Sequence, residues 1–151
     1  MVRPTDVPPA RLLPRLAQEL RNRPAIQPPG WVPFVKTGVS RQRAPTQADW
    51  WYLRTASVLR KFYLRGPAGV ARLATEYGGK KDRGSAPYHA RTGSRAVMRA
   101  IVHQLEKAGL VESQKKRGRR LSADGQRLLS QVATETLKQI AATEPELAKY
   151  L

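Results

Sequence analysis

The residues of this chain best suited to chemistry are its cations, and they fall into four clusters. The first is Arg54, Arg60, Lys61 and Arg65, set in an apolar run. The second is Lys80, Lys81, Arg83 and Arg91, with Tyr88 and His89 interleaved and glycines at 78, 79, 84 and 93. The third is the pair Arg95 and Arg99. The fourth is Lys115, Lys116, Arg117, Arg119 and Arg120, five cations in six residues with no acid among them. Lys and Arg neutralise phosphates, glycines let backbone N–H groups come close to them, and Tyr and His stack on unpaired bases. Ser94, at the start of a helical pattern, adds a phosphate seat at a helix N-terminus.

Catalysis finds little support in the same residues. His89 and His103 are the only histidines, and Asp49, Glu76 and Asp82 are scattered. There is no HExxH, no paired carboxylate and no nucleophile beside a base. Gly78–Gly79–Lys80 lacks the GxxxxGK[ST] spacing of a phosphate loop. With no cysteine, thiolate chemistry, disulfides and Cys-based zinc sites are excluded. The reading is therefore a binding protein, not an enzyme, with no cofactor and no metal.

Charge points the same way. The chain carries 28 Lys and Arg against 11 Asp and Glu, a net +17. Residues 1–121 hold 25 of the cations and 7 of the acids; residues 122–151 hold 3 and 4. A polyanion relieves such self-repulsion, so nucleic acid is the first partner class and an anionic membrane the second. No segment has the length of an apolar membrane span. The binding surface is expected from the first four-fifths, with the last helix structural.

The elements that must position these cations are legible from periodicity. Thr5–Asp6 is expected to cap a first helix carrying Leu12, Leu13, Leu16 and Leu20, bent or poorly formed because Pro14 interrupts it at a cost of about 3 kcal/mol. Residues 22–47 read as a Pro-rich arm, pinned by Trp31, Val32, Phe34 and Val35, with Lys36, Arg41 and Arg43 as added phosphate contacts. Asp49–Leu64 is apolar nearly all round, which predicts a central buried helix. Arg54, Lys61 and Arg65 share its open face; Arg60 falls off that face, as a structural contact or an RNA contact. Ala68–Tyr77 is a short helix, with Val70, Leu73 and Ala74 inward, and Lys80–Thr92 a loop. Ser94–Ala108 is amphipathic, with Arg95, Arg99 and His103 outward. Leu110–Val111 and Arg120–Leu121 pair as a basic hairpin, and Ser122 caps a last helix, Ala123–Ala142, lined by Leu128, Leu129, Val132, Thr136, Leu137 and Ile140.

Helix, short helix, amphipathic helix, basic hairpin and packing helix is the order of a winged helix. The expectation is one domain, mainly all-α and winged-helix-like, around a central apolar helix with a short basic β-hairpin wing. Residues 48–142 form the core and 143–151 a loose tail.

Several blocks in register add a family resemblance: PPGWVPFVK, WWYLRTASVLRKFYLRGPAGV, YGG, RGSAPYHARTGSRAV, QLEKAGLVE and GRRLSADGQR. Together they resemble the archaeal and eukaryotic type of small-subunit ribosomal protein nineteen, from about Asp6 to Ile140. The resemblance implies a cytoplasmic ribosomal protein in the head of the small subunit. It would bind the 3′ major domain of small-subunit rRNA, support subunit assembly, and sit as a monomer among neighbouring head proteins. It implies no membrane and no small-molecule substrate. The family's sensitive basic positions fall on Arg54 and Arg60. Its paired-arginine position falls on Arg99 and Ala100, where only the first is basic. The proline- and arginine-rich arm suggests an archaeal member. The competing reading is a winged-helix DNA regulator, which would concentrate charge on one helix and wing; here it is spread over arm, central helix, loop and wing.

Overall fold

A helix that is apolar on most of its sides has to be largely enclosed, and most of this chain is arranged to do so. The computed structural model describes residues 2–144. In order these form α1 (Pro9–Arg21), an irregular arm with one 3-10 turn at Val32–Phe34, α2 (Trp50–Arg65) and α3 (Val70–Glu76). There follow β1 (Gly79–Arg83), β2 (Ala86–Arg91), α4 (Arg95–Lys107), β3 (Val111–Gln114), β4 (Gly118–Leu121) and α5 (Ala123–Thr143). The described residues thus form a helix-rich fold with two small antiparallel hairpins, consistent with a winged-helix-like arrangement but less purely α than expected.

α2 buries Trp50, Trp51, Thr55, Ala56, Val58, Leu59 and Phe62. α1 crosses it with Leu12, Leu16 and Leu20 fully buried, while Leu13 is half-buried. α4 adds Val97, Met98, Ile101, Val102 and Leu105, and α5 adds Leu129, Val132, Ala133, Thr136 and Leu137. Leu128 and Ile140 are half-buried at the edge of this cluster. Val70 likewise stays half-buried, leaving Leu73 and Ala74 as the inward residues of α3. The buried threonines cost little, because Thr55 and Thr136 donate back to the carbonyls of Trp51 and Val132, four residues earlier.

Three expectations about the N-terminal part are corrected. α1 runs uninterrupted through Pro14. Pro14 and Ala10, whose carbonyl loses its partner, both lie on the exposed side, where the freed acceptor is open to solvent. Thr5–Asp6 does not cap α1; Pro8 is the N-cap, with no side-chain bond. The Asp6 carboxylate instead accepts from the backbone N–H of Arg3 at 3.0 Å, which holds it below the usual carboxylate range. Third, the arm is not pinned by Phe34, which is 86% exposed, and Trp31 is only partly covered. Its anchors are Val32 and the fully buried Ile26. Trp31 stands edge-on to Trp51 at 5.7 Å. Gln104 of α4 ties the layers together, accepting from the Trp51 indole at 2.9 Å and donating to the Gln27 carbonyl.

The second hairpin forms on the expected apolar pair, with Val111 opposite Leu121. It gains a third partner, since Ala68 and Arg119 exchange backbone hydrogen bonds of 2.9 and 3.0 Å. Gly118 permits this approach: its φ is +90°, and a Cβ there would stand 2.6 Å from the Ala68 carbonyl. The Ser122 hydroxyl caps α5 by accepting from the N–H of Gly125 at 3.1 Å. α5 extends one residue past Ala142 to Thr143. Glu144 follows, and the rest of the expected loose tail lies outside the described residues.

Leu59 is fully buried at the centre of this cluster. Leu59→Ala should lower stability by about 2–5 kcal/mol, measured by urea unfolding. A far smaller loss, no larger than that of a surface substitution, would mean that α2 is not the organising helix.

Candidate nucleic-acid interface

The segment expected as a loop is a β-hairpin. Gly79 pairs with Arg91, Lys80 with Ala90, Lys81 with His89 and Arg83 with Ala86, with a bulge between Lys81 and Arg83. The turn is set by Asp82, whose carboxylate accepts from the Gly84 N–H at 2.8 Å, and by Gly84 at φ +72°. Because both faces of the ribbon are largely exposed, it has no apolar alternation to announce a strand. Strand alternation puts Lys81, His89 and Arg91 on one face and Lys80 and Tyr88 on the other. Tyr88 is 62% exposed. The Arg83 guanidinium reaches back to the Pro87 carbonyl at 3.3 Å.

The ribbon is held only at its root. There Gly93 donates to the Ala74 carbonyl at 2.8 Å, Ser94 donates to the Thr37 carbonyl at 2.9 Å, and Gly38 bridges to Gly93. The approach needs glycine. A Cβ at Gly78 would collide with the Arg91 carbonyl, and one at Gly93 would stand 2.9 Å from the Tyr77 carbonyl. The arm therefore crosses the hairpin root and brings Ser40 and Arg41 against Gly79.

Tyr77, at the end of α3, collects the central-helix cations at that root. The Arg54 guanidinium lies over its ring at 4.5 Å from the centroid, and the Lys61 ammonium at 4.7 Å. Its hydroxyl shares a 2.6 Å hydrogen bond with Ser57. Burial raises the Tyr77 hydroxyl above its ordinary range, against the opposing pull of Ser57 and Arg54, so the ring stays neutral. Burial also lowers Arg54, and the like charge of Arg41 acts in the same direction. Arg54 nonetheless keeps its charge at neutral pH.

The face expected to present Arg54, Lys61 and Arg65 is partly neutralised. Lys61 pairs closely with Glu76, and Arg65 reaches the same carboxylate at 3.8 Å. Arg60 is half-buried, with its Nε enclosed and without a hydrogen-bond partner. The wing is neutralised at its root too. Arg119 pairs with Glu106 of α4 at 3.0 Å, and Arg120 with Glu112 across the strands at 2.6 Å. Lys115, Lys116 and Arg117 stay exposed at the tip. No acid lies within the run itself; its partners come from a helix and from the opposite strand.

Ser94 is half-buried, and its hydroxyl is taken up as the N-cap of α4, accepting from Val97 N–H at 3.4 Å. Beyond it Arg95 and Arg99 are exposed on the outer side of α4, as is His103, which stands 3.5 Å from Glu106. α4 thus links the two hairpins: the ribbon root abuts Arg95, and the wing root meets Glu106 about 17 Å further along, at about 1.5 Å per residue. The geometry gathers Arg41, Arg54, Lys61 and the ribbon around Tyr77. It leaves the wing tip as a separate group. What sequence reasoning missed is Tyr77, a platform recognisable only once α2 and α3 are packed. Among the described residues no group of His, Asp or Glu is arranged to hold a metal ion.

The architecture is a helix-rich core with cations displayed on an arm, two hairpins and two helices. The family described as Ribosomal protein S19e matches residues 3–139. The chain is 46% identical over 151 residues to the "Small ribosomal subunit protein eS19" of Thermoplasma volcanium, covering all of both chains. It is 44% identical over 153 residues to the protein of the same name from Aeropyrum pernix, again over the whole of both. It is 40% identical over 134 residues to "Small ribosomal subunit protein eS19A" of Schizosaccharomyces pombe, covering 89% of this chain and 93% of that one. The chain belongs to the ribosomal protein S19e family, and with it to the structural proteins of the ribosome rather than to enzymes.

The Glu76 pairing has a measurable consequence. Glu76→Gln should release Lys61 and Arg65 for phosphates and strengthen RNA binding at low salt, at a stability cost of about 1–3 kcal/mol because the Lys61 pair is partly buried. Filter binding over a salt series checks the first effect and urea unfolding the second. Unchanged affinity would make both cations purely structural.

Proposed function

We propose that this chain is a structural protein of the small ribosomal subunit in the cytoplasm, and that it holds small-subunit rRNA in the head, at the 3′ major domain. There it supports subunit assembly beside neighbouring head proteins. The single observation that carries the RNA reading is the ribbon β1–β2. It carries four cations and one acid and is nearly bare on both faces. A two-stranded ribbon with no core contact is marginal in water. A partner that binds both its phosphate-seeking side chains and its backbone offsets that cost.

The RNA-contacting residues proposed are those of the ribbon (Lys80, Lys81, Arg83, Tyr88, His89, Arg91), Arg54 at its root, Arg95 and Arg99 beside it, and the wing tip Lys115–Arg117. Arg60, Lys61, Arg65, Arg119 and Arg120 act mainly by holding these in place, and Ser94 by capping α4. The spread supports an RNA-packed protein over the DNA regulator, because exposed cations face out from the arm, the ribbon, one helix and the wing.

Replacing Arg83, Arg91 and Arg99 together by Ala should weaken binding to the 3′ domain of small-subunit rRNA. The slope of log K against log salt should flatten by roughly two to three, about 0.7–0.9 for each phosphate no longer neutralised. The variant should also sediment less with small subunits in a sucrose gradient. Normal incorporation of the triple variant would remove the ribbon from the site, and failure of the parent chain to enter that fraction would favour the regulator.

A further inference from the structure

Beside Arg54 the arm and α2 line an open cleft of about 330 Å³. Arg41 and Arg43 enter from the arm and Arg54 from α2, while Pro45, Trp50 and Leu53 supply apolar wall. No carboxylate lines it. Glu76, at the end of α3, is engaged with Lys61 and Arg65 instead. Burial strips water from Arg54, and the charge of Arg41 opposes its own. Three guanidiniums around one recess, without an anion among them, repel one another, and an anion placed between them relieves that repulsion.

The shape narrows the choice of anion. The size and the mix of apolar wall with a few polar groups match small-ligand sites. A phosphate pairs with the guanidiniums and gains nothing from the apolar wall of Pro45, Trp50 and Leu53. A nucleotide swung out of its stack uses both, with its phosphate among the guanidiniums and its base against the wall or an arginine plane. The side chain of Gln47, also in the lining, offers both a donor and an acceptor to a base edge.

We propose that this cleft seats a single unpaired nucleotide of the bound RNA, so that the arm reads a bulge or splayed base while the ribbon and wing hold phosphates. This rests on the RNA-binding reading above. The test uses the full chain and two RNA hairpins of equal length. One carries a single bulged 2-aminopurine, and the other has the same base paired in the stem. The bulged hairpin should bind about tenfold or more tightly, the scale of one base stacked on a protein, and its 2-aminopurine emission should fall on binding. In the double variant Arg41→Gln/Arg43→Gln both the preference and the emission change should disappear. These two arm residues are exposed, and a thermal melt verifies that the variant is folded. Equal affinities with unchanged emission overturn the cleft assignment and leave RNA binding standing. A double variant that keeps the preference also overturns it. Absence of binding to both hairpins while the 3′ domain of small-subunit rRNA is still bound overturns the cleft assignment alone, and absence of binding to all three RNAs overturns both readings.

Discussion

Carboxylates are scarce in this protein, and where they sit decides what its surface can do. Seven of them share residues 1–121 with 25 cations. Five serve structural ends: Asp6 closes the turn before α1, Glu76 holds Lys61 and Arg65, Asp82 sets the ribbon turn, Glu106 holds Arg119 and Glu112 holds Arg120. Each fixes a cation or a turn, and the remaining cations of the ribbon, the arm and the wing tip are left without a carboxylate. The exposed pair of Arg120 with Glu112 contributes little to stability by itself, and the partly buried ones contribute modestly. Their larger effect is on distribution, since they concentrate the uncompensated charge at the ribbon, the arm and the wing tip.

The second constraint is steric. Tyr77, Gly78, Gly93 and Gly38 meet at one crossing, where three stretches of backbone approach too closely for side chains. The crossing joins the arm to the ribbon and sets α3 so that the Tyr77 ring lies beneath Arg54 and Lys61. The cations of α2 are therefore placed by an element far from them in sequence. Burial keeps the ring neutral, and a neutral ring is what a guanidinium stacks on.

The sequence shows clearly those parts whose burial is one-sided or complete. α2 is apolar nearly all round, α4 alternates at helical spacing, and the wing begins and ends on an apolar pair. These three are legible at once, and with them the clusters at Arg95–Arg99 and Lys115–Arg120. The ribbon is not, because both its faces meet solvent and no period-two pattern is needed. Pro14 misleads because a proline's cost depends on which side of the helix it faces, and the stripe of Leu12, Leu16 and Leu20 sets it on the outer side. The anchoring of the arm by Ile26 rather than Phe34 is likewise a tertiary outcome. Pairings such as Arg119 with Glu106 join residues in different elements, so a run that looks uncompensated in sequence is half-compensated in space. The resemblance carries the family, but the roles of individual arginines come only with the packing.

The ribbon also bears on what happens to copies that never find a partner. Held only by backbone bonds at its base, it leaves an extended, lysine- and arginine-rich stretch open to trypsin-like enzymes. A partner lying across it would close that stretch. An unbound copy would then be cut at the ribbon sooner than a bound one.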